Sequence, residues 1–223
     1  MKGPLPQYKS SMWIDPSGKP VSCCLVYDRV FVETIVENPL RMQPAIGLVK
    51  VAIFKSNKLL PDMLIKYSKH IVTLPPLSSE KIVVSFKPPF EAEYYYKVFI
   101  EDEEVYMQPK GSPPRLRASK RESRIFIEKI SEFSRNPGFT VIGKLVDAIT
   151  GEGIERARVE IYDSRIFRND KMLAYGTTDK SGSFVVEGLK TLKIGDQIKV
   201  YVKFKGDDVY KPAVSGYFAV NRA

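Results

Sequence analysis

Residues 197–205 alternate without a break: Ile198, Val200, Val202 and Phe204 are apolar, while Gln197, Lys199, Tyr201, Lys203 and Lys205 carry polar groups. That period of two predicts a strand with one face in a core and the other in water. The same patterning predicts strands at 25–36, 48–54, 70–74, 82–86 and 94–100, with a shorter piece near Val105, and again at 139–146, 158–162, 172–177, 184–186 and 216–220. Turn residues separate them, as at Asn38-Pro39, Ser56-Asn57, Pro75-Pro76 and Pro88-Pro89. Asp179 is suited to open a turn that Gly182 closes in the left-handed conformation. Many short strands with such punctuation predict β-sandwiches rather than a helical or βαβ fold.

The pattern divides the chain. Residues 1–20 hold Pro4, Pro6, Pro16 and Pro20 with Gly3 and Gly18, and are expected to form an extended N-terminal arm. Its apolar pair, Trp13 and Ile14, is expected to dock on its own domain or on a neighbouring subunit. Residues 21–108 are read as a β-sandwich, Ig-like or a single jelly roll, and residues 138–223 as an Ig-like β-sandwich. Residues 109–137 are read as a basic linker. Within it, Ser119-Lys120-Arg121-Glu122 has capping-box spacing, and Phe126, Ile130 and Phe133 follow at helical intervals, so a short helix is favoured. A strand through Ile125 and Ile127 is the alternative. The expected fold class is therefore all-β: two antiparallel sandwiches joined by this linker.

Charge sharpens the linker. The chain carries 35 basic and 26 acidic residues, a net of +9, and residues 109–137 hold eight of the basic and three of the acidic ones. Arg115, Arg117, Lys120, Arg121 and Arg124 could meet an acidic protein surface, an internal membrane or nucleic acid, and phosphate contacts would make binding salt-sensitive. The segment's two aromatics and lack of a nucleic-acid module favour protein or lipid contacts. The strand at 94–100 is apolar on both faces, which implies a cover on its second face. Tyr94, Tyr95 and Tyr96 fit ordinary packing, with a sticky binding surface as the alternative.

Catalytic chemistry finds little here. His70 is the only histidine, so any nucleophile–base pair would need to be built around it. Cys23 and Cys24 are adjacent and are expected to be free, without a metal, because no other thiol could complete a site. Asp179, Asp207 and Asp208 with Glu152 lack the spacing of a calcium loop and read as turn residues, and Glu101-Asp102-Glu103-Glu104 reads as a solvated hairpin or salt-bridging rim. No enzyme activity, cofactor or small-molecule substrate is expected. No apolar stretch reaches the ~18 residues of a membrane-spanning helix, and the N-terminal residues lack the apolar core of a secretory signal. Scarce Asn and Gln lean toward a thermophilic source.

The residues Val141-Ile142-Gly143-Lys144-Leu145-Val146-Asp147, Thr150-Gly151-Glu152-Gly153-Ile154, Ala157-Arg158-Val159 and Thr177-Thr178-Asp179-Lys180-Ser181-Gly182-Ser183-Phe184 resemble carboxypeptidase-regulatory or transthyretin-like modules. Phe204-Lys205-Gly206-Asp207-Asp208-Val209-Tyr210 is similar to Ig-like surface repeats of bacteria and archaea. Val36-Glu37-Asn38-Pro39, Leu74-Pro75-Pro76 and Phe86-Lys87-Pro88-Pro89 look like an Ig-type cell-surface module. These likenesses imply fold more than function.

Exposed-type modules without an export signal match a virion component assembled in the host cytoplasm. The layout, length and composition are similar to vertex (penton-base) proteins of turreted icosahedral viruses of thermophilic archaea. That resemblance implies a structural capsid protein forming a homo-oligomer, a fivefold ring, with other capsid proteins as neighbours. The alternative is a surface adhesin or carbohydrate-binding module. The candidate contact residues are Trp13, Tyr95, Arg115, Arg117, Lys120, Arg121 and Arg124.

Overall fold

A computed structural model describes residues 3–109, 115–132, 138–164, 169–190 and 197–221. Among them there is no helix, and the chain divides into two compact units, Met1–Ser119 and Lys120–Ala223. The protein is all-β and built as β-sandwiches.

In unit 1 one sheet has the order β1-β3-β6, formed by Gln7–Ile14, Val30–Glu37 and Ser79–Phe86. The other runs β2-β9-β7-β4-β5, formed by Cys23–Leu25, Leu116–Ser119, Ala92–Ile100, Ala45–Lys55 and Met63–Leu74, and β8 (Glu103–Met107) also pairs with β7. Pairing is antiparallel apart from β2 with β9. Each strand obeys its pattern: Val30, Val32 and Val36 of β3 and Val49, Val51 and Ile53 of β4 point into a common core with Tyr94, Tyr96 and Val98 of β7. Three strands facing a sheet ordered 5-4-7-9 is the Ig-type arrangement. A jelly roll would need two sheets built from paired Greek keys.

Three expectations change. The arm of residues 1–20 is not irregular throughout, because Gln7–Ile14 is β1 and pairs along β3. Pro4 and Pro6 precede it and Pro16 and Pro20 follow it, so no proline removes a donor from inside the strand. Trp13 settles on its own domain at 2% exposure. Nor is residues 109–137 a free-standing linker with a helix. Leu116–Ser119 is β9 of unit 1 and Ser123–Glu132 is β10 of unit 2. Leu116, Ala118 and Ile125 are buried while Arg117 and Arg124 are exposed, so the period of two prevails over the capping-box spacing. Residues 110–114 and 133–137, with Phe133 of the helical reading, lie outside the described residues. The strand expected at 25–36 is also broken, by a turn in which Tyr27 takes φ 64° and Asp28 accepts the Leu25 N–H at 3.1 Å.

Unit 2 repeats the same order. One sheet is β10-β11-β14, with β11 at Gly138–Asp147 and β14 at Ser183–Lys190. The other is β13-β12-β15, formed by Lys171–Thr177, Arg158–Asp163 and Gln197–Phe204, with β16 (Ala213–Val214) and β17 (Phe218–Asn221) both on the far side of β15. Its core is Phe139, Val141, Leu145, Ile161, Phe184, Val200, Val202 and Phe204. The predicted turn before β14 is present: Asp179 Oδ1 accepts the Ser181 and Ser183 N–H groups at 2.8 and 2.9 Å, and Gly182 takes φ 77°. A Cβ on Gly182 would lie 2.2 Å from the Leu145 carbonyl oxygen, so the position needs glycine for space as well as for conformation.

Candidate functional site

The outward face of the β2-β9-β7-β4-β5 sheet gathers most of the residues singled out in unit 1. Register places Phe54 of β4 opposite Tyr95 of β7 and opposite Leu64 of β5. Phe54 and Tyr95 stack at 5.3 Å between centroids, and the Arg115 guanidinium lies 4.3 Å above the Tyr95 ring. Arg115 also donates to Glu93 Oε1 at 3.2 Å and to the Gln108 carbonyl at 3.4 Å. Its side chain is 8% exposed, and Nε is buried without a hydrogen-bond partner. Tyr95 donates its hydroxyl to Asp62 Oδ2 at 2.8 Å. Burial first, and then the Asp62 hydrogen bond and charge, push the Tyr95 phenol up to about 12.

The second face of β7 therefore has a cover, supplied here by the chain's own Arg115 and the loop that holds Asp62. Tyr94 and Tyr96 belong to the inner core. Tyr94 closes its hydroxyl on the Phe90 carbonyl at 2.8 Å, and burial pushes it to about 12. Trp13 donates Nε1–H to Gln108 Oε1 at 3.0 Å and packs at 5.4 Å on Tyr96 and 5.8 Å on Phe86. With the indole enclosed and Tyr95 sandwiched, neither ring offers a face to a sugar or a protein partner. Their expected role in contact is corrected to packing, because a buried Trp that satisfies its N–H stabilises a core.

Beside Arg115 lies a cleft of about 850 Å³ lined by Ser22, Cys23, Lys55, Ser56, Asn57, Lys58, Glu91, Ala92, Glu93, Arg115 and Arg117. Arg117 is exposed on its wall. Lys55 lies 5.1 Å over the Phe90 ring. Four cations against two carboxylates, one already paired to Arg115, leave this cleft suited to an anion. Composition marked Arg115 and Arg117 but could not foresee Lys55 and Lys58, which join them only through the pairing of β4 with β7.

The remaining basic candidates belong to unit 2 and mostly hold structure. Lys120 bonds the Asp207 carbonyl, and Arg121 pairs through Nε with Asp147, whose side chain is 1% exposed. Asp147 also accepts the Ile149 and Thr150 N–H groups at 2.8 and 3.0 Å. Burial alone would raise the Asp147 carboxyl, but the Arg121 hydrogen bond and the two amides outweigh it and hold the group below the usual carboxylate range. Arg124 is exposed on β10.

The other chemistry considered resolves into local roles. His70 Nε2 shares a hydrogen bond with Ser68 Oγ at 2.8 Å. Cys23 and Cys24 are free thiols, and burial followed by the Asp28 charge pushes Cys24 up to about 12, far from a reactive thiolate. Asp207 Oδ1 accepts the Val209 and Tyr210 N–H groups at 2.8 and 2.7 Å, the bonds of a turn. The acidic hairpin is a salt-bridging rim, with Asp102 on Lys50 at 2.6 Å and Glu104 on Lys97 at 2.7 Å. Among the described residues no group of three or more His, Cys, Asp or Glu is placed to hold a metal ion, and no helix is long and apolar enough to cross a membrane.

The most conspicuous surface was not singled out from sequence. β5 is twelve residues long and stands at the edge of its sheet. Ile71 on β5 is 81% exposed, and Ile46 on the paired β4 is 55% exposed. Met42 and Leu77, in the neighbouring loops, are 90% and 67% exposed. A long edge strand with exposed apolar side chains is a template for association.

No family model and no curated protein matches this chain. Among solved structures it is similar to a crystal structure of red sea bream transglutaminase, with 12% identity and a TM-score of 0.42, over 98% of this chain and 31% of that one.

Proposed function

We propose that this protein is a non-enzymatic structural subunit of an icosahedral capsid, a vertex or penton-base component of a virus of thermophilic archaea. It assembles with further copies of itself into a ring, and the ring meets other capsid proteins in a virion built in the host cytoplasm. The observation that carries this reading is the edge of unit 1, where β5, the start of β4 and the neighbouring loops leave Met42, Ile46, Ile71 and Leu77 in solvent. One such surface meeting a different surface on the next copy closes a ring. The resemblance of the chain's layout to vertex proteins supplies the capsid context, and rigid Ig-type sandwiches supply fixed distances and angles. The adhesin or carbohydrate-binding reading is weaker, since Trp13 and Tyr95, the two rings assigned to it, are 2% and 4% exposed.

Sedimentation velocity of the whole chain over a wide concentration range tests this. The expected result is a discrete oligomer that Ile71→Lys with Met42→Lys converts to a monomer whose circular dichroism is that of the folded wild type. A wild-type chain that is monomeric at every concentration and joins no particle would remove the proposal.

A further inference from the structure

The far end of the β4–β5 hairpin has a different character from the edge just described. Its connecting loop presents Leu59 at 96% and Leu60 at 73% exposure, and Met63 and Leu64 follow at 53% and 50%. The loop is tied, not loose. The Asn57 N–H donates to Asp62 Oδ1 at 2.8 Å, Asn57 Nδ2 donates to the Pro61 carbonyl at 2.7 Å, and Asp62 in turn takes the Tyr95 hydroxyl at 2.8 Å. Hydrogen bonds at its base thus hold the apolar side chains outward.

A second, independent feature lies along the same loop. Lys55 and Lys58, on its rising limb, form one wall of the 850 Å³ cleft whose other basic residues are Arg115 and Arg117. Along the falling limb, a shallower depression of about 370 Å³ carries Arg29, Lys66 and Lys87 beside Ile65, Phe86 and Pro89. Tyr27 and Phe90, at 51% and 40% exposure, belong to the connections at this end of the sandwich. An apolar tip collared by cations and aromatic rings matches a surface with an apolar interior, a polar boundary and negative charge.

We infer that this pole of unit 1 docks on an anionic lipid surface, with Leu59 and Leu60 entering the acyl boundary and a headgroup phosphate received between Lys58 and Arg117. Competing occupants each explain half of the arrangement. An uncharged protein pocket would take the leucines and leave the cations unused, whereas a soluble phosphate or a nucleic acid would take the cations and leave the leucines in water. An amphiphile with an anionic head uses both. The inference stands apart from the capsid reading and survives if that reading fails.

The test is co-sedimentation of the whole chain with phosphatidylcholine vesicles, with and without phosphatidylglycerol, at rising salt. Binding is expected to the anionic vesicles alone and to weaken with salt. Leu59→Ser with Leu60→Ser, and separately Lys58→Glu with Arg117→Glu, are each expected to lower it at least tenfold while circular dichroism and melting temperature stay unchanged. All four side chains are exposed, so folding does not depend on them. Absence of binding, equal binding to neutral vesicles, or a leucine variant that binds like the wild type would overturn the inference. So would stabilisation by inorganic phosphate or a single-stranded oligonucleotide without vesicle binding, or a leucine variant that changes only the oligomeric state.

Discussion

Units 1 and 2 share a strand order, yet their larger sheets treat their outward faces differently. In unit 2 the centre of that face pairs its own charges and rings, while Met172 and Tyr175 on the edge strand β13 stay 43% and 59% exposed. Glu160 on β12, 3% exposed, receives Lys205 at 3.0 Å, Arg158 at 3.2 Å and the Tyr162 hydroxyl at 2.7 Å, and Tyr162 stacks on Tyr201 at 5.4 Å. Tyr201 in turn donates to Asp170 at 2.8 Å. In unit 1 the equivalent sheet covers one end with Arg115 and leaves the apolar side chains of β5 and its loops in solvent. One backbone plan thus carries an outward face whose central side chains pair among themselves or one with a more exposed apolar edge, depending on whether the outward side chains find partners on their own sheet.

The sharpest way to separate the two units is to damage one core. Trp13→Ala should cost unit 1 about 3–5 kcal/mol through the cavity it leaves and the lost hydrogen bond to Gln108. Calorimetry should show the loss confined to one unit. A uniform loss across the whole chain would mean that the two cores are not independent.

Asp147→Ala is the counterpart in unit 2. Removing the carboxylate takes the ion-pair acceptor from a largely buried Arg121 and the acceptor from two turn amides, at a cost of about 3 kcal/mol. The native group also predicts a pH profile. The folded state holds the Asp147 carboxyl below its usual range, so its contribution is fully present above the unfolded pKa near ~3.9 and is lost as pH falls through the folded value. Glu160 acts in the same direction: burial raises it, but the hydrogen bonds from Tyr162 and Lys205 outweigh burial and lower it. Acid titration followed by circular dichroism should therefore destabilise unit 2 below about pH 4, and Asp147→Ala should flatten that dependence.

Smaller effects refine the contrast. Gly182→Ala should cost about 2 kcal/mol, since it combines a left-handed backbone with a Cβ pressed on the Leu145 carbonyl. Arg115→Ala should cost unit 1 about 1–2 kcal/mol by uncovering Tyr95, a loss that Arg115→Lys repairs only in part. Ile71→Lys should change the stability of the isolated chain by less than about 0.5 kcal/mol, because the residue is solvated there. Chemical denaturation measures all three.

Much of the fold was legible because burial imposes a period of two, and the strands around Val49, Tyr96, Leu145 and Val200 follow it. The Asp179–Gly182 turn was legible because its chemistry is local. What escaped was non-local. Nothing near Trp13 in sequence points to Gln108, and nothing near Arg121 points to Asp147. Charge density drew attention to the basic joint, yet two of its arginines spend their charge on Glu93 and Asp147. The turn at Tyr27 has no glycine or proline to announce it. The exposed apolar edge escaped because β5 has apolar residues on both faces, at Ile71 outward and at Val72 and Leu74 inward, and alternation alone does not say which face meets water.

We propose that copies of this chain meet at the edge of unit 1 and not at that of unit 2. Amide hydrogen exchange of the whole protein at dilute and at assembling concentrations addresses it strand by strand. Exchange should slow across Met63–Leu74 on assembly while Lys171–Thr177 stays as it was. Equal exchange in β5 at both concentrations, or protection gained by β13 in its place, would contradict the account.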